Sequence, residues 1–273
     1  MPSKLSKIFK EDKGIIIGAI HFPPLLGYPE FPGFKIALDN ALKDLRAFED
    51  GGVDGIIFEN NYDTPHKILV GPETVAGMTF LGEKIKSATK LPLGLNILWN
   101  DYRAALSIAK ALDLQFMRIP VFVDKVKTNY GAIEGCPKDV IDFRKLVGAE
   151  SVALFTDIHV KHAELISKQD IITSAKLAIK NKSDAIILTG KWTGDAPNVN
   201  KLMAVREAVG NFPILVGSGA DEKNIKDLLR YANGVIVSTS LKEGNIKKGE
   251  INVKTWQQRI SETKVRRLIN NIK

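Results

Sequence analysis

The sequence predicts an α/β protein built as one (β/α)8 barrel of parallel strands, with a phosphate-binding site at the carboxyl ends of its last two strands. Three observations carry this expectation. Eight short apolar runs recur along the chain, each followed by a helix or a helix-sized segment. The runs have few polar interruptions, as strands buried on both faces of a parallel sheet do. The length, 273 residues, is close to the roughly 250 of a typical barrel of this kind. No linker or low-complexity stretch divides the chain, so residues 1–273 are read as a single domain with a lysine-rich extension over 1–14.

The first strand candidate, residues 15–20, ends on His21 and a stiff loop holding four of the twelve prolines. A helix with Phe34, Leu38, Ala41, Leu42, Leu45 and Phe48 on one face follows, and Gly51-Gly52 stops it. The second strand delivers Glu59 and Asn60 at its end, the third contains Asn96 and the fourth contains Arg118. Residues 122–136, with Gly131 and Gly135, read as a long irregular loop, mobile until a ligand orders it over the mouth. The fifth strand runs into Asp157-Ile158-His159-Val160-Lys161-His162, where His162 is expected to start a helix, and the sixth runs into Thr189-Gly190. The seventh and eighth end in Gly217-Ser218-Gly219 and Ser238-Thr239-Ser240. Glycines let a backbone approach a ligand closely, and hydroxyls complete a shell around phosphate oxygens. The anion cradle is therefore assigned to Gly217, Ser218, Gly219, Thr239 and Ser240, with Gly190 beside them.

Composition narrows the function. With 44% hydrophobic residues the chain can bury a large core, and neither a signal-like segment nor a membrane-length apolar run stands out. A cytoplasmic protein is expected, without membrane insertion. Cys136 is the one cysteine, so an internal disulfide and a cysteine metal cluster are both excluded. The net charge is +8, of which residues 241–273 supply +6 through nine Lys/Arg against three acids. That tail reads as an amphipathic final helix with a solvated basic face, which argues against nucleic acid as a partner. The expected partner is a small phosphorylated ligand, and a homo-oligomer is compatible with it.

In a barrel the polar strand ends converge on one mouth, where such enzymes build their sites. The catalytic candidates are Glu59, Asp157, Arg118, Asn96, His21 and His159. Glu59 and Asp157 suit proton transfer, because burial moves a carboxyl pKa toward the working pH. Arg118, inside an apolar strand, needs an acid as partner. A metal held by Asp157, His159 and His162 with His21 is the competing arrangement, but no metal or cofactor is assigned. Lys161 is read as a solvated helix-start residue or a charge partner for an anion rather than as a Schiff-base nucleophile.

Several motifs match one family in order: His21-Phe22-Pro23-Pro24-Leu25-Leu26-Gly27, Gly51-Gly52-Val53-Asp54-Gly55 with Glu59-Asn60, Gly94-Leu95-Asn96-Ile97-Leu98, Asp157-Ile158-His159-Val160-Lys161-His162, Thr189-Gly190 with Thr193-Gly194, and Gly217-Ser218-Gly219. Together they resemble the BtpA family, which includes SgcQ-type proteins, over residues 15–242; Asn129 and Tyr130 depart from its commoner residues. The resemblance implies a TIM barrel related to phosphate-binding barrels, and for some members a role in photosystem I biogenesis. Two functions follow. One is an enzyme acting on a sugar- or nucleotide-derived phosphate by acid/base, lyase or isomerase chemistry. The other is a non-catalytic assembly factor for a membrane complex.

Overall fold

In the computed structural model, which describes residues 3–245 and 252–272, eight parallel strands close into a barrel. They are β1 (Ile15–His21), β2 (Gly55–Glu59), β3 (Leu93–Asn96), β4 (Phe116–Ile119), β7 (Ala153–Ile158), β9 (Ala185–Leu188), β10 (Ile214–Val216) and β11 (Gly234–Val237), paired in that order with β11 returning to β1. Helices α2 (Phe34–Gly51), α3 (Pro72–Ala88), α4 (Tyr102–Ala111), α5 (Pro137–Leu146), α6 (Ile171–Lys180), α7 (Val199–Val209) and α8 (Ile225–Leu229) follow the first seven strands. A short 3-10 turn, Thr239–Leu241, and α9 (Glu262–Asn270) follow the eighth.

Side chains alternate across each strand, so every second residue points into the barrel. Ile15, Ile17, Ala19, Ile57, Phe116, Ala153, Phe155, Ala185, Ile187, Leu215 and Ile236 form that inner core, and the intervening residues pack under the helices. Inner layers mix large and small residues. Phe116 lies where a side chain on Gly94 would stand, and it stacks on Phe155 at 4.8 Å.

The lysine-rich start is more than an extension. Helix α1 (Lys4–Phe9), capped by the Ser3 hydroxyl, buries Leu5 and Phe9 against the inner core at the barrel's amino-terminal end. Gly55 makes this possible, since a Cβ there would stand 2.6 Å from the Phe9 ring.

Three expectations need correction. Residues 122–136 are not an irregular loop: β5 (Lys125–Thr128) and β6 (Gly131–Glu134) form an antiparallel hairpin, extended by β8 (Glu164–Leu165). Each strand offers one inward apolar residue, Val126 or Ile133, and these join Trp99, Val121 and Val160 in a small separate core. The segment after β7 accordingly leads into β8, and His162 lies in the turn between them rather than at a helix start. Among its described residues the tail is α-helical over α9, and residues 252–260 bond to the loop after β2 through Asn61 and Tyr62 and to α2 through Asp44. Its basic residues are not all solvated: Lys242 and Lys254 are buried, and Arg259 reaches Asp44 of α2 at 2.8 Å. The part of the helical expectation that falls on residues 246–251, and Met1 and Pro2 of the extension, lie outside the described residues.

Candidate active site

One step above the apolar inner layer, the inward position of every strand changes character. Two residues beyond Ala19, Ile57, Gly94, Phe116, Phe155, Ile187, Leu215 and Ile236 stand His21, Glu59, Asn96, Arg118, Asp157, Thr189, Gly217 and Ser238. All of them except the buried Asp157 floor a cavity of about 1490 Å³ at the carboxyl ends of the strands, its walls made by the strand-to-helix loops and the hairpin.

Arg118 is the centre of this floor. Its Nε and Nη2 donate to the two oxygens of Asp157, both at 2.8 Å, and Nη1 donates to Glu59 Oε1 at 3.4 Å. Burial opposes charge on this group, but Asp157 and Glu59 overcome it and push the guanidinium pKa up. Burial also raises the Asp157 carboxyl while Arg118 pulls it back. The forked geometry, two parallel short bonds, is that of an ionised pair. Asp157 is therefore spent on holding Arg118, which itself crosses a gap kept open by Gly217, where a Cβ would stand 2.6 Å from Ile187 and 3.4 Å from Arg118 Nη2.

Glu59 is differently placed. Besides Arg118 it accepts from Asn96 Nδ2 at 3.3 Å, and its second oxygen lies 3.7 Å from His21 Nε2. Burial, then Lys242, Lys161 and Arg118, hold the His21 ring far below its usual pKa, so it is neutral at physiological pH. Asn60, one position on, faces away from the mouth; its side chain grips Leu98 N at 2.7 Å and Asp63 at 3.1 Å.

Lys161 is not a solvated helix-start residue. The turn after β7 places His159 and His162 at φ 49° and 58°, left-handed values that carry a cost outside glycine, and Lys161 between them lines the cavity. Its backbone N donates to the Thr189 hydroxyl at 3.0 Å. Burial lowers its pKa to about 8, Arg118 adding to the effect and Glu59 and Asp157 opposing it. His159 also lines the cavity, but its backbone N is tied to Asp124 and its Nε2 is buried without a partner. The metal arrangement is not assembled. Asp157 is engaged by Arg118, and no group of three or more His, Cys, Asp or Glu able to hold a metal occurs among the described residues.

The cradle is narrower than its sequence suggests. Gly217 N donates to Leu188 O, and Ser218 Oγ is committed to Asp195 O at 2.7 Å and Gly190 N at 3.3 Å. Gly217, Ser218 and Gly190 thus build the loop instead of presenting donors. Gly219, at φ 72°, turns its backbone against Asp195 and Ala196, and a side chain there would run into both. Its N, and those of Thr239 and Ser240, have no partner among the described residues. Ser240 Oγ donates to Ala220 O at 2.7 Å, fastening the two loops together. Ser238, 7% exposed and lining the cavity, has a hydroxyl without a partner. Lys254 and Lys264 adjoin the turn, their ammonium groups held on the carbonyl of Lys242. The two lysines are not among the residues the sequence points to; Ser238 belongs to the second cradle loop but not to the assigned residues, although the alternation that places Ile236 inward points to it.

Solved structures with the same architecture share little sequence. (S)-3-O-geranylgeranylglyceryl phosphate synthase from Thermoplasma acidophilum, in complex with sn-glycerol-1-phosphate, superposes with a TM-score of 0.62 at 14% identity, over 100% of this chain and 99% of that one. N-(5'-phosphoribosyl)anthranilate isomerase from Pyrococcus furiosus gives 0.56 at 12%, over 95% and 98%. These confirm the TIM barrel. Among relatives by sequence, an uncharacterised protein of Archaeoglobus fulgidus is 38% identical over 232 residues, 85% of this chain and 92% of its own. The photosystem I biogenesis protein BtpA of Synechocystis is 37% identical over 235 residues, 85% and 82% of the two chains. The BtpA family matches residues 12–273, so the motifs, the barrel and the relatives agree: the chain belongs to the BtpA family.

Proposed function

We propose that the protein is an enzyme acting on a small phosphorylated metabolite, with the phosphate on Gly219, Ser238, Thr239 and Ser240 and the reacting carbon over Glu59 and Lys161. The observation that carries this reading is Ser238: its buried hydroxyl has no partner, which costs stability, and the residue lines the cavity beside the amides of Gly219, Thr239 and Ser240, which have no partner among the described residues. The similar barrels named above include a synthase in complex with a glycerol phosphate and a phosphoribosyl-compound isomerase, which is consistent with it.

The chemistry follows from what each group can still do. Glu59 is an acceptor at the floor, oriented by Asn96 and Arg118. Lys161, with its pKa near 8, is mostly protonated at neutral pH and is the donor. An acceptor and a donor over one cavity suit proton transfer next to a carbonyl, the core of isomerase and lyase reactions. Arg118, with both acids on it, sets their geometry and offsets their charge. His21 stays neutral beside Glu59.

Calorimetric titration with ribose 5-phosphate and with inorganic phosphate tests the cradle. Ser238→Ala removes a group that bonds nothing in the free protein, so the variant should fold as well as the parent and bind both compounds at least tenfold more weakly. Equal affinity in the two proteins contradicts the reading. Catalytic loss in Lys161→Met with ligand binding retained would separate chemistry from anchorage.

The name of the Synechocystis relative supports a second reading, an assembly factor that keeps the barrel as a scaffold. It becomes the better account if neither phosphorylated compound binds.

A further inference from the structure

The cavity is larger than a phosphate and a short carbon chain require. Small-molecule sites usually enclose roughly 300–1,000 Å³, and this one measures about 1490 Å³. The loops after β10 and β11 hold the cradle; across the barrel axis, the loops after β2 and β4 bring His66 and Tyr130 edge to face at 5.3 Å and 87°. Between them, the loops after β7 and β9 bring His162 and Trp192 together at 5.4 Å. All four side chains line the cavity.

Two features mark this end as unfinished. Trp192 is 63% exposed, an indole at the rim whose ring is tilted 57° to that of His162. His66 is 9% exposed, yet its Nδ1 has no partner, and His162 Nδ1 is equally alone although its Nε2 meets the Thr193 hydroxyl at 2.8 Å. Burial lowers both imidazoles to about pKa 4. Uncharged at neutral pH, neither imidazole attracts a second phosphate, and each keeps a buried nitrogen unpaired next to an aromatic ring of the cavity wall. An uncharged wall of aromatic and imidazole rings is what a heteroaromatic ring needs, since stacking supplies affinity that tolerates the ring's own polar edge.

We infer that this end of the cavity is a stacking subsite for a heteroaromatic ring, so the substrate is a nucleoside monophosphate or a similar ring-bearing sugar phosphate. The inference rests on the phosphate reading for the ligand's orientation, because the ring is placed opposite an anchored phosphate.

Calorimetry with ribose 5-phosphate, AMP, GMP, CMP and UMP tests it on the full chain. At least one nucleotide should bind ten times more tightly than ribose 5-phosphate and quench the tryptophan fluorescence. Trp192→Ala, at an exposed position that tolerates truncation, should reduce that nucleotide to the ribose 5-phosphate level and leave ribose 5-phosphate itself unchanged. His66→Phe keeps a ring but removes its nitrogens, and should also weaken the nucleotide alone. If no nucleotide exceeds ribose 5-phosphate, or if Trp192→Ala leaves the excess intact, the stacking subsite is overturned while the phosphate reading stands. If ribose 5-phosphate and all four nucleotides fail to bind, both fall. Loss of ribose 5-phosphate affinity in Ser238→Ala marks the phosphate end independently.

Discussion

At the scale of single residues, the central relation is between Arg118 and its two acids. Removing one member of a buried ion pair leaves the others uncompensated, typically at a cost of about 3–5 kcal/mol. Arg118→Met should therefore destabilise the protein by about that amount in urea unfolding, because the buried carboxylates of Asp157 and Glu59 then lose their shared counter-charge. Adding Asp157→Leu should restore part of the loss, a non-additive pair in a double-mutant cycle. A neutral single variant would remove Arg118 from the centre of the floor. Lys161 gives a second residue-level expectation. If catalysis needs its proton, activity falls as pH rises through about 8, and Lys161→Arg, whose guanidinium stays charged, moves that fall to higher pH. The ionisable strand-end residues were legible in the sequence because side chains alternate: Glu59, Arg118 and Asp157 each follow an apolar inward residue by two. Lys161 was not legible. Its position depends on two left-handed histidines, and no glycine announces the turn.

At the scale of elements, the amino-terminal helix and the hairpin illustrate why short pieces escape a periodicity argument. Helix α1 has six residues and two buried side chains, too few for an amphipathic pattern to emerge, yet Phe9 fills the barrel's floor over Gly55. Phe9→Ala should cost about 3 kcal/mol in chemical unfolding, as aromatic truncations in cores do; a loss under about 0.5 kcal/mol would show that the plug is dispensable. The hairpin alternates in steps of two, but lysines flank Val126 on β5, its second buried residue is the polar Thr128, and a glutamate ends β6, so composition hid the pattern. Asp124 anchors its base, accepting from His159 N, Ser174 Oγ and Gln169 Nε2 at 2.8, 2.6 and 2.6 Å. These bonds tie the roof to the turn after β7 and to α6. Hydrogen exchange at residues 125–134 should be slow in the free protein, and exchange as fast as in an open loop would restore the idea of a segment ordered by substrate. The tail escaped for a different reason: Arg259 and Lys242 read as solvated charges until α2 supplies Asp44 and the loop after β2 supplies Tyr62, whose hydroxyl lies 3.0 Å from Lys242 Nζ.

At the scale of the whole molecule, the barrel was legible because eight apolar runs with helix-sized gaps allow few other closures, whereas the site depends on loops that meet only after closure. His66 and His162 come from loops nearly a hundred residues apart in sequence, and no local pattern pairs them. Their burial has a consequence for stability. In the unfolded chain both protonate near pH 6.5, while in the folded state they resist until about pH 4. The unfolded state therefore binds more protons in that window, and stability is lost as pH falls from 6.5 toward 4, by on the order of 3 kcal/mol for His66. Asp63, raised to about 6 chiefly by burial, works in the opposite sense, its stabilisation fading as pH rises from about 3.8 to 6. A comparison between the parent and His66→Gln isolates the histidine: the drop in melting temperature from pH 7 to 4.5 should be smaller in the variant, and identical drops would contradict the assignment.

The proposed function depends on a phosphate occupying the space between Gly219 and Ser238. A crystal structure of the protein with ribose 5-phosphate tests this most directly. The account predicts phosphate oxygens about 3 Å from the amides of Gly219 and Thr239 and from the Ser238 hydroxyl, with the sugar carbons directed at Glu59 and Lys161. A phosphate bound elsewhere in the cavity, with the Ser238 hydroxyl still alone, would contradict it.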